Sequence, residues 1–172
     1  MALQAERLIR DIPDFPKPGI LFKDINPILN DPPAFREVVD HLYHFAHDKG
    51  ADVVVGIESR GFVFGTPLAM RLDVGFVPVR KLGKLPGPTI RAEYALEYGT
   101  NVMEVQQDAL HPGQKVLIVD DLLATGGTAR AAAELVEKLG AVVVGCAFVV
   151  ELGFLHGREV LKDYEVCSLI TF

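Results

Sequence analysis

Residues 116–132 read VLIVDDLLATGGTARAA: an apolar run, two adjacent carboxylates, a loop of small residues, then an alanine-rich run. The apolar run suits a buried strand and the alanine-rich run a helix, so the loop Ala124, Thr125, Gly126, Gly127 and Thr128 falls at a helix N-terminus. Bare backbone amides and two hydroxyls at such a place bind an anion such as phosphate. Asp120 and Asp121 repel that same phosphate. The ligand is therefore expected to be bipolar, with an anionic end on the loop and a neutral or cation-forming part beside the carboxylates.

Working outward, strand and helix signals alternate without repeats or low-complexity segments. Residues 2–10 and 33–49 read as amphipathic helices, separated by a proline-rich stretch, 13–33, that cannot be regular helix. Strands are expected at 52–57, 74–79, 101–107, 115–119, 142–150 and 165–170, with helices running to about residue 72 and from 127 to 139. Continuous apolar strands in this order imply an α/β fold, a mainly parallel sheet covered by helices on both faces. Ligands in such sheets sit at the carboxyl ends of the strands, where the Asp pair, the residues after Ile57 and the cations after Val79 all fall.

A length of 172 residues with 49% hydrophobic content predicts a single domain, 1–172. No run of about 18 apolar residues and no secretory leader is present, so the chain reads as soluble and unprocessed. Cys146 and Cys167 lack CxxC spacing and read as reduced thiols, which suggests the cytoplasm. A net charge of -6 argues against nucleic-acid and membrane partners. Residues 74–92 nevertheless contain no acid and four cations, Arg80, Lys81, Lys84 and Arg91. By itself that also suits a solvated basic loop.

Familiar alternatives fail on their letters. No GxxxxGK[ST] or GxGxxG occurs, which removes the usual handles for ATP hydrolysis and NAD chemistry. An aspartate-nucleophile phosphatase wants a second acid where Leu122 stands, and GIESRG, 56–61, has Ile57 where a nucleophile elbow needs glycine.

VLIVDDLLATGGT resembles the phosphoribosyl pyrophosphate fingerprint of the type I phosphoribosyltransferase family. PDFPKPGILFKDINPIL, GIESRGFVFG, VRKLGKLPGPTI, YALEYGT and VVELGFLHGRE extend the resemblance over nearly the full length, to the branch that uses adenine. It implies the type I phosphoribosyltransferase fold with an N-terminal hood, about 11–33, and a mobile active-site lid, about 81–100. The implied reaction is purine salvage: adenine and phosphoribosyl pyrophosphate give AMP and pyrophosphate, with Mg²⁺ held mainly through the substrate and no protein metal site.

By the same resemblance, Ala124, Thr125, Gly126, Gly127 and Thr128 hold the 5-phosphate, and Asp120 and Asp121 face the ribose hydroxyls. Carboxylates accept hydrogen bonds from hydroxyls and stabilise an oxocarbenium-like ring. Ser59, Arg60, Arg80, Lys81 and Lys84 match the pyrophosphate side, although Ser59 also suits an ordinary turn. Arg60 approaches the reacting groups; Glu97 is the expected acid/base group near the purine and Tyr98 a positioning residue in the lid. Leu21, Phe22, Lys23 and Leu152 match the adenine contacts, with Phe22 equally suited to a core. Lys23 stands where many family members carry arginine. His41, His44 and His47 recur on one helix without a carboxylate motif, which does not suit a metal site. The family implies a homodimer. A 6-oxopurine phosphoribosyltransferase and a noncatalytic phosphoribosyl pyrophosphate sensor share the phosphate loop and stand as the two alternatives.

Overall fold

Pro13, Pro16 and Pro18 deny the early chain a continuous helix. The computed structural model describes residues 3–95 and 100–172, and the chain divides into two units, Met1–His41 and Leu42–Phe172. In the first unit, helix α1 spans only Gln4–Leu8, shorter than the periodicity predicts, because Arg10 already begins strand β1 (Arg10–Pro13). Strand β2 (Leu21–Asp24) pairs antiparallel with β1, and the Arg10 guanidinium donates to Asp24 Oδ2 at 2.5 and 3.1 Å. The proline-rich stretch is thus a strand pair followed by a short helix, α2 (Asn26–Leu29). Asp31 accepts the Ala34 N–H at 2.9 Å and so caps α3 (Pro32–Lys49).

The second unit is built on a seven-stranded sheet. Its elements are β3 (Val53–Ile57), α4 (Arg60–Leu72), β4 (Gly75–Lys81), β5 (Thr89–Ala95), β6 (Thr100–Gln106), β7 (Lys115–Leu123), α5 (Gly127–Lys138), β8 (Val142–Glu151), α6 (Gly157–Val160) and β9 (Val166–Thr171). The strand order is β5-β6-β4-β3-β7-β8-β9; the five strands from β4 to β9 run parallel, and β6 and β5 join antiparallel at one edge. This is the expected mainly parallel sheet flanked by helices. Alternate residues of β3 show the two faces. Val53, Val55 and Ile57 pack with Ala132, Leu135 and Val136 of α5, while a Cβ on Gly56 would meet Phe76 and Phe62. Four buried alanines of α5, Ala129, Ala131, Ala132 and Ala133, keep that helix close to the sheet. No described helix is long and apolar enough to cross a membrane.

Three differences from the sequence reading bear on the site. β4 continues through Lys81, and β7 continues through Asp120 and Asp121 to Leu123. Pairing with β8 as far as Leu123–Glu151 offsets the weak strand propensity of the two acids. The stretch 81–100, expected to be one long loop, contains β5, paired residue for residue with β6. Ile90, Ala92 and Tyr94 turn inward between exposed Arg91 and Glu93, an alternation obscured by the neighbouring prolines and charges.

Candidate active site

Parallel strands β3, β4 and β7 end side by side, so their following residues share one edge of the sheet. A cavity of about 370 Å³ opens there, lined by residues that include Ser59, Arg60, Lys81, Asp120, Asp121, Ala124 and Thr128. A smaller hollow of about 60 Å³ adjoins Asp120 and is lined by Ala124, Thr125, Gly126 and Thr128. The fold therefore gathers the acid pair, the small-residue loop and part of the basic stretch into one crevice.

The loop gains its shape from a close approach of backbones. Gly126 precedes α5 at φ +85°, and a Cβ there would lie 2.6 Å from the Gly157 carbonyl oxygen. A Cβ on Gly157 would in turn collide with the Ala124 carbonyl. Arg158 fixes this contact from behind: its Nε donates to both carboxylate oxygens of buried Glu151, at 2.8 and 2.9 Å. Burial alone raises the Glu151 carboxyl, but the Arg158 hydrogen bonds and charge hold it below the usual range. The first amides of α5 face no side-chain cap and remain available to an anion.

The two acids differ. Asp121 is buried and its Oδ2 lies 2.6 Å from Arg60 Nε, so its charge is compensated. Asp120 accepts the Asp121 backbone N–H at 2.8 Å. Burial and the Asp121 charge push its carboxyl well above the ordinary carboxylate range, against the weaker pull of Arg60. Gly61 permits this arrangement, because a Cβ there would stand 2.7 Å from the Val119 carbonyl and 3.1 Å from Asp120 Oδ1. Ser59 is exposed, and its hydroxyl makes no capping bond to α4.

Arg80 and Lys84 stand outside the cavity lining. Arg80 instead grips Glu58, with Nε and Nη2 at 3.2 and 3.1 Å from its carboxylate, which also accepts the Lys81 N–H at 2.9 Å. Burial raises the Glu58 carboxyl, but the Arg80 and Lys81 hydrogen bonds with the charges of Arg80 and Lys84 leave it below the usual range. In the first unit, Lys23 Nζ donates to Asp11 at 2.6 Å, Phe22 meets Phe15 edge to face at 5.1 Å, and Leu21 is exposed. Leu152 donates its N–H to the Leu123 carbonyl at 2.9 Å and is outside the cavity lining. Gly127 begins α5. Glu97 and Tyr98 lie outside the described residues.

Sequence reasoning missed Tyr94, Asn101 and Met103, which line the cavity from β5 and β6; Asn101 Nδ2 donates to the Tyr94 hydroxyl at 3.3 Å. With 81–100 read as a loop, nothing in the sequence connects Tyr94 to the site. Glu58, also in the lining, stands in the turn with Ser59 and Arg60 that resembles the pyrophosphate side, where the resemblance uses backbone amides and gives the Glu58 carboxylate no task.

A parallel sheet whose acid pair leads into this loop defines the phosphoribosyl transferase class, and the sequence model for the phosphoribosyl transferase domain matches residues 27–171. Solved structures are more specific. Adenine phosphoribosyltransferase from Thermoanaerobacter pseudethanolicus is 53% identical, with 98% of each chain covered and a TM-score of 0.96. The Saccharomyces cerevisiae enzyme, complexed with an imino-altritol bisphosphate and adenine, is 46% identical over 96% of each chain, with a TM-score of 0.92. That from Giardia lamblia, complexed with 9-deazaadenine, is 41% identical over 100% of this chain and 98% of its own, with a TM-score of 0.94. The chain belongs to the adenine phosphoribosyltransferase family.

Proposed function

We propose that the cavity at the ends of β3, β4 and β7 is where the phosphoribosyl group of phosphoribosyl pyrophosphate is transferred to adenine, giving AMP and pyrophosphate. The observation that carries this reading is the joining of an anion loop and an acid pair in one crevice, within a chain of this family. Adenine enters purine salvage by this reaction. The yeast relative's imino-altritol bisphosphate has the bipolar form that the loop and acids favour, a ring amine between anionic ends.

Ala124, Thr125, Gly126, Gly127 and Thr128 bind the 5-phosphate through backbone amides and hydroxyls at the start of α5. Asp120 and Asp121 accept hydrogen bonds from the ribose hydroxyls. Because the sugar ring gains positive charge as pyrophosphate departs, their fixed negative charge favours the transition state over the ground state. Ser59, Arg60 and Lys81 in the cavity, with Arg80 and Lys84 beside it, receive pyrophosphate. Leu21, Phe22, Lys23 and Leu152 recognise adenine, in the family pattern. Donor and acceptor exchange at the purine 6-position then discriminates against 6-oxopurines. Glu97 handles the purine proton and Tyr98 positions the base, in a lid that excludes water.

The site fits a substrate-borne Mg²⁺. Its acids offer hard oxygen donors, yet Glu58 and Asp121 are already engaged by arginines, leaving little for a protein cage. Bound there, Mg²⁺ neutralises charge on the pyrophosphate leaving group. We assign the enzyme to the cytoplasm and to a homodimer.

Initial rates with adenine, hypoxanthine and guanine, read by pyrophosphate release, test the assignment. AMP formation from adenine alone is expected. Preference for hypoxanthine or guanine would make it a 6-oxopurine enzyme, and phosphoribosyl pyrophosphate binding with no product from any base would make it a sensor.

A further inference from the structure

We infer that Glu104, which no step above uses, is a positioning residue for Lys84; this rests on the assignment of the 81–84 turn to pyrophosphate. Residues 74–92 contain no acid, so the turn's own sequence cannot neutralise or order its cations. Glu104 reaches it from β6, where it sits opposite both Arg80 and Arg91 in the strand register. Its side chain is 2% exposed. A carboxylate so buried is costly unless hydrogen bonds satisfy it. Its donors come from one short segment: the Gly83 N–H at 3.0 Å, the Leu85 N–H at 3.4 Å and the Thr89 hydroxyl at 3.1 Å, with Arg91 Nε at 3.7 Å.

These contacts bracket Lys84. The amides before and after it are held by Glu104, and its own carbonyl accepts from Arg80 Nη1 at 3.1 Å. Arg80 is in turn held by Glu58, which lines the cavity. The backbone at Lys84 is thus fixed on both sides, while its side chain stays exposed to meet a ligand. Gly83, at φ +82°, would leave an unanchored turn free to wander. Glu104 acts as an internal anion that shapes the turn; being buried, it does not present its charge to pyrophosphate.

Calorimetric titration of the full-length enzyme with pyrophosphate and, separately, with AMP tests this in Glu104→Gln, Lys84→Ala and the double variant. The amide of Glu104→Gln places an N–H where donors now point, so pyrophosphate affinity is expected to fall about tenfold, the low end for a charge-assisted hydrogen bond. AMP affinity is expected to hold, and the double variant to be no weaker than Lys84→Ala alone. Fully additive losses, equal losses for AMP and pyrophosphate, or unchanged pyrophosphate binding in Glu104→Gln would overturn the role of Glu104. Unchanged pyrophosphate binding in Lys84→Ala would overturn the pyrophosphate assignment of the turn, and the inference with it. Should Glu104→Gln not fold, Thr89→Val removes one donor and keeps the carboxylate. An approximately threefold loss that disappears in the Lys84→Ala background is then expected, and an effect that survives there overturns the inference.

Discussion

Arg60 at the start of α4 and Asp121 in β7 form an ion pair of 2.6 Å, which leaves Asp120 as the acid of the pair under the greater electrostatic pressure. The two carboxylates are adjacent in sequence and unequal in the fold. Asp121 has a guanidinium against its carboxylate, whereas burial and the neighbouring acid make an ionised Asp120 costly, a cost that the sugar cation of the proposed reaction would offset.

Asp120→Asn is therefore expected to slow turnover by about 10-fold to 10²-fold while making the protein more stable. The sign follows from the raised carboxyl. Its folded-state value lies above the unfolded one, so its stabilising contribution is present in acid and is lost as pH rises through the folded value. The amide escapes that loss, and an unfolding midpoint about 2–4 °C higher at pH 7, shrinking toward pH 4, is expected for ~1 kcal/mol. Asp121→Asn should lower the midpoint, because it removes the carboxylate charge 2.6 Å from Arg60 Nε. Thermal melts across pH that rank the two variants the other way would contradict this division.

Gly157→Ala tests the support of the proposed phosphate loop, since the new Cβ meets the Ala124 carbonyl and Leu123. An overpacking loss of about 1–3 kcal/mol is expected, together with weaker phosphoribosyl pyrophosphate binding. Gly126→Val is expected to do the same through the Gly157 carbonyl. Gly75→Ala is the control, because its nearest neighbour would be Val53 Cγ2 at 3.7 Å. Equal affinities in Gly157→Ala and Gly75→Ala would separate the loop from its backing.

The sequence made the sheet legible where one residue type dominates. Val53–Ile57 and the apolar start of β7 bury nearly every side chain, and such runs have few other uses. It also made the loop between β7 and α5 legible, because small residues between strand and helix are a local signal. What it hid was long-range. Asp120 and Asp121 look like loop residues until pairing with β8 is known, and β5 reads as loop until Ala92 is seen beneath α5. Glu104 gives no local sign of its task, since its donors lie 15–21 residues upstream. Gly61 and Gly157 are ordinary letters until a neighbouring backbone explains them.

Glu58→Gln probes the hub between Arg80 and the Lys81 amide. The Glu58 carboxyl lies below its ordinary value, so its stabilising contribution is present above the unfolded value and is lost as pH falls through the folded one. Acid unfolding should accordingly show a wild-type advantage that is constant from about pH 6 to 8 and closes below about pH 4. Pyrophosphate binding should weaken in parallel as Arg80 and the turn loosen. An advantage that persists undiminished at pH 3 would mean that packing, not the carboxylate charge, is what Glu58 contributes.

Glu97→Gln separates chemistry from closure. Glu97 falls in sequence between the last residue of β5 and the first of β6. β6, which follows it in sequence, carries Asn101 and Met103 of the cavity lining. If Glu97 exchanges a proton with the purine, single-turnover AMP formation should fall about 10²-fold to 10⁴-fold in Glu97→Gln while both substrates bind nearly as before. A solvated surface acid would change neither quantity. A residue needed only for closure would instead weaken phosphoribosyl pyrophosphate binding and slow the step together, because the open site admits water and loses its fixed geometry. Rapid-quench measurement of the chemical step, beside equilibrium binding of each substrate, distinguishes the three. An unchanged chemical step would remove Glu97 from the mechanism and leave the purine proton to another group.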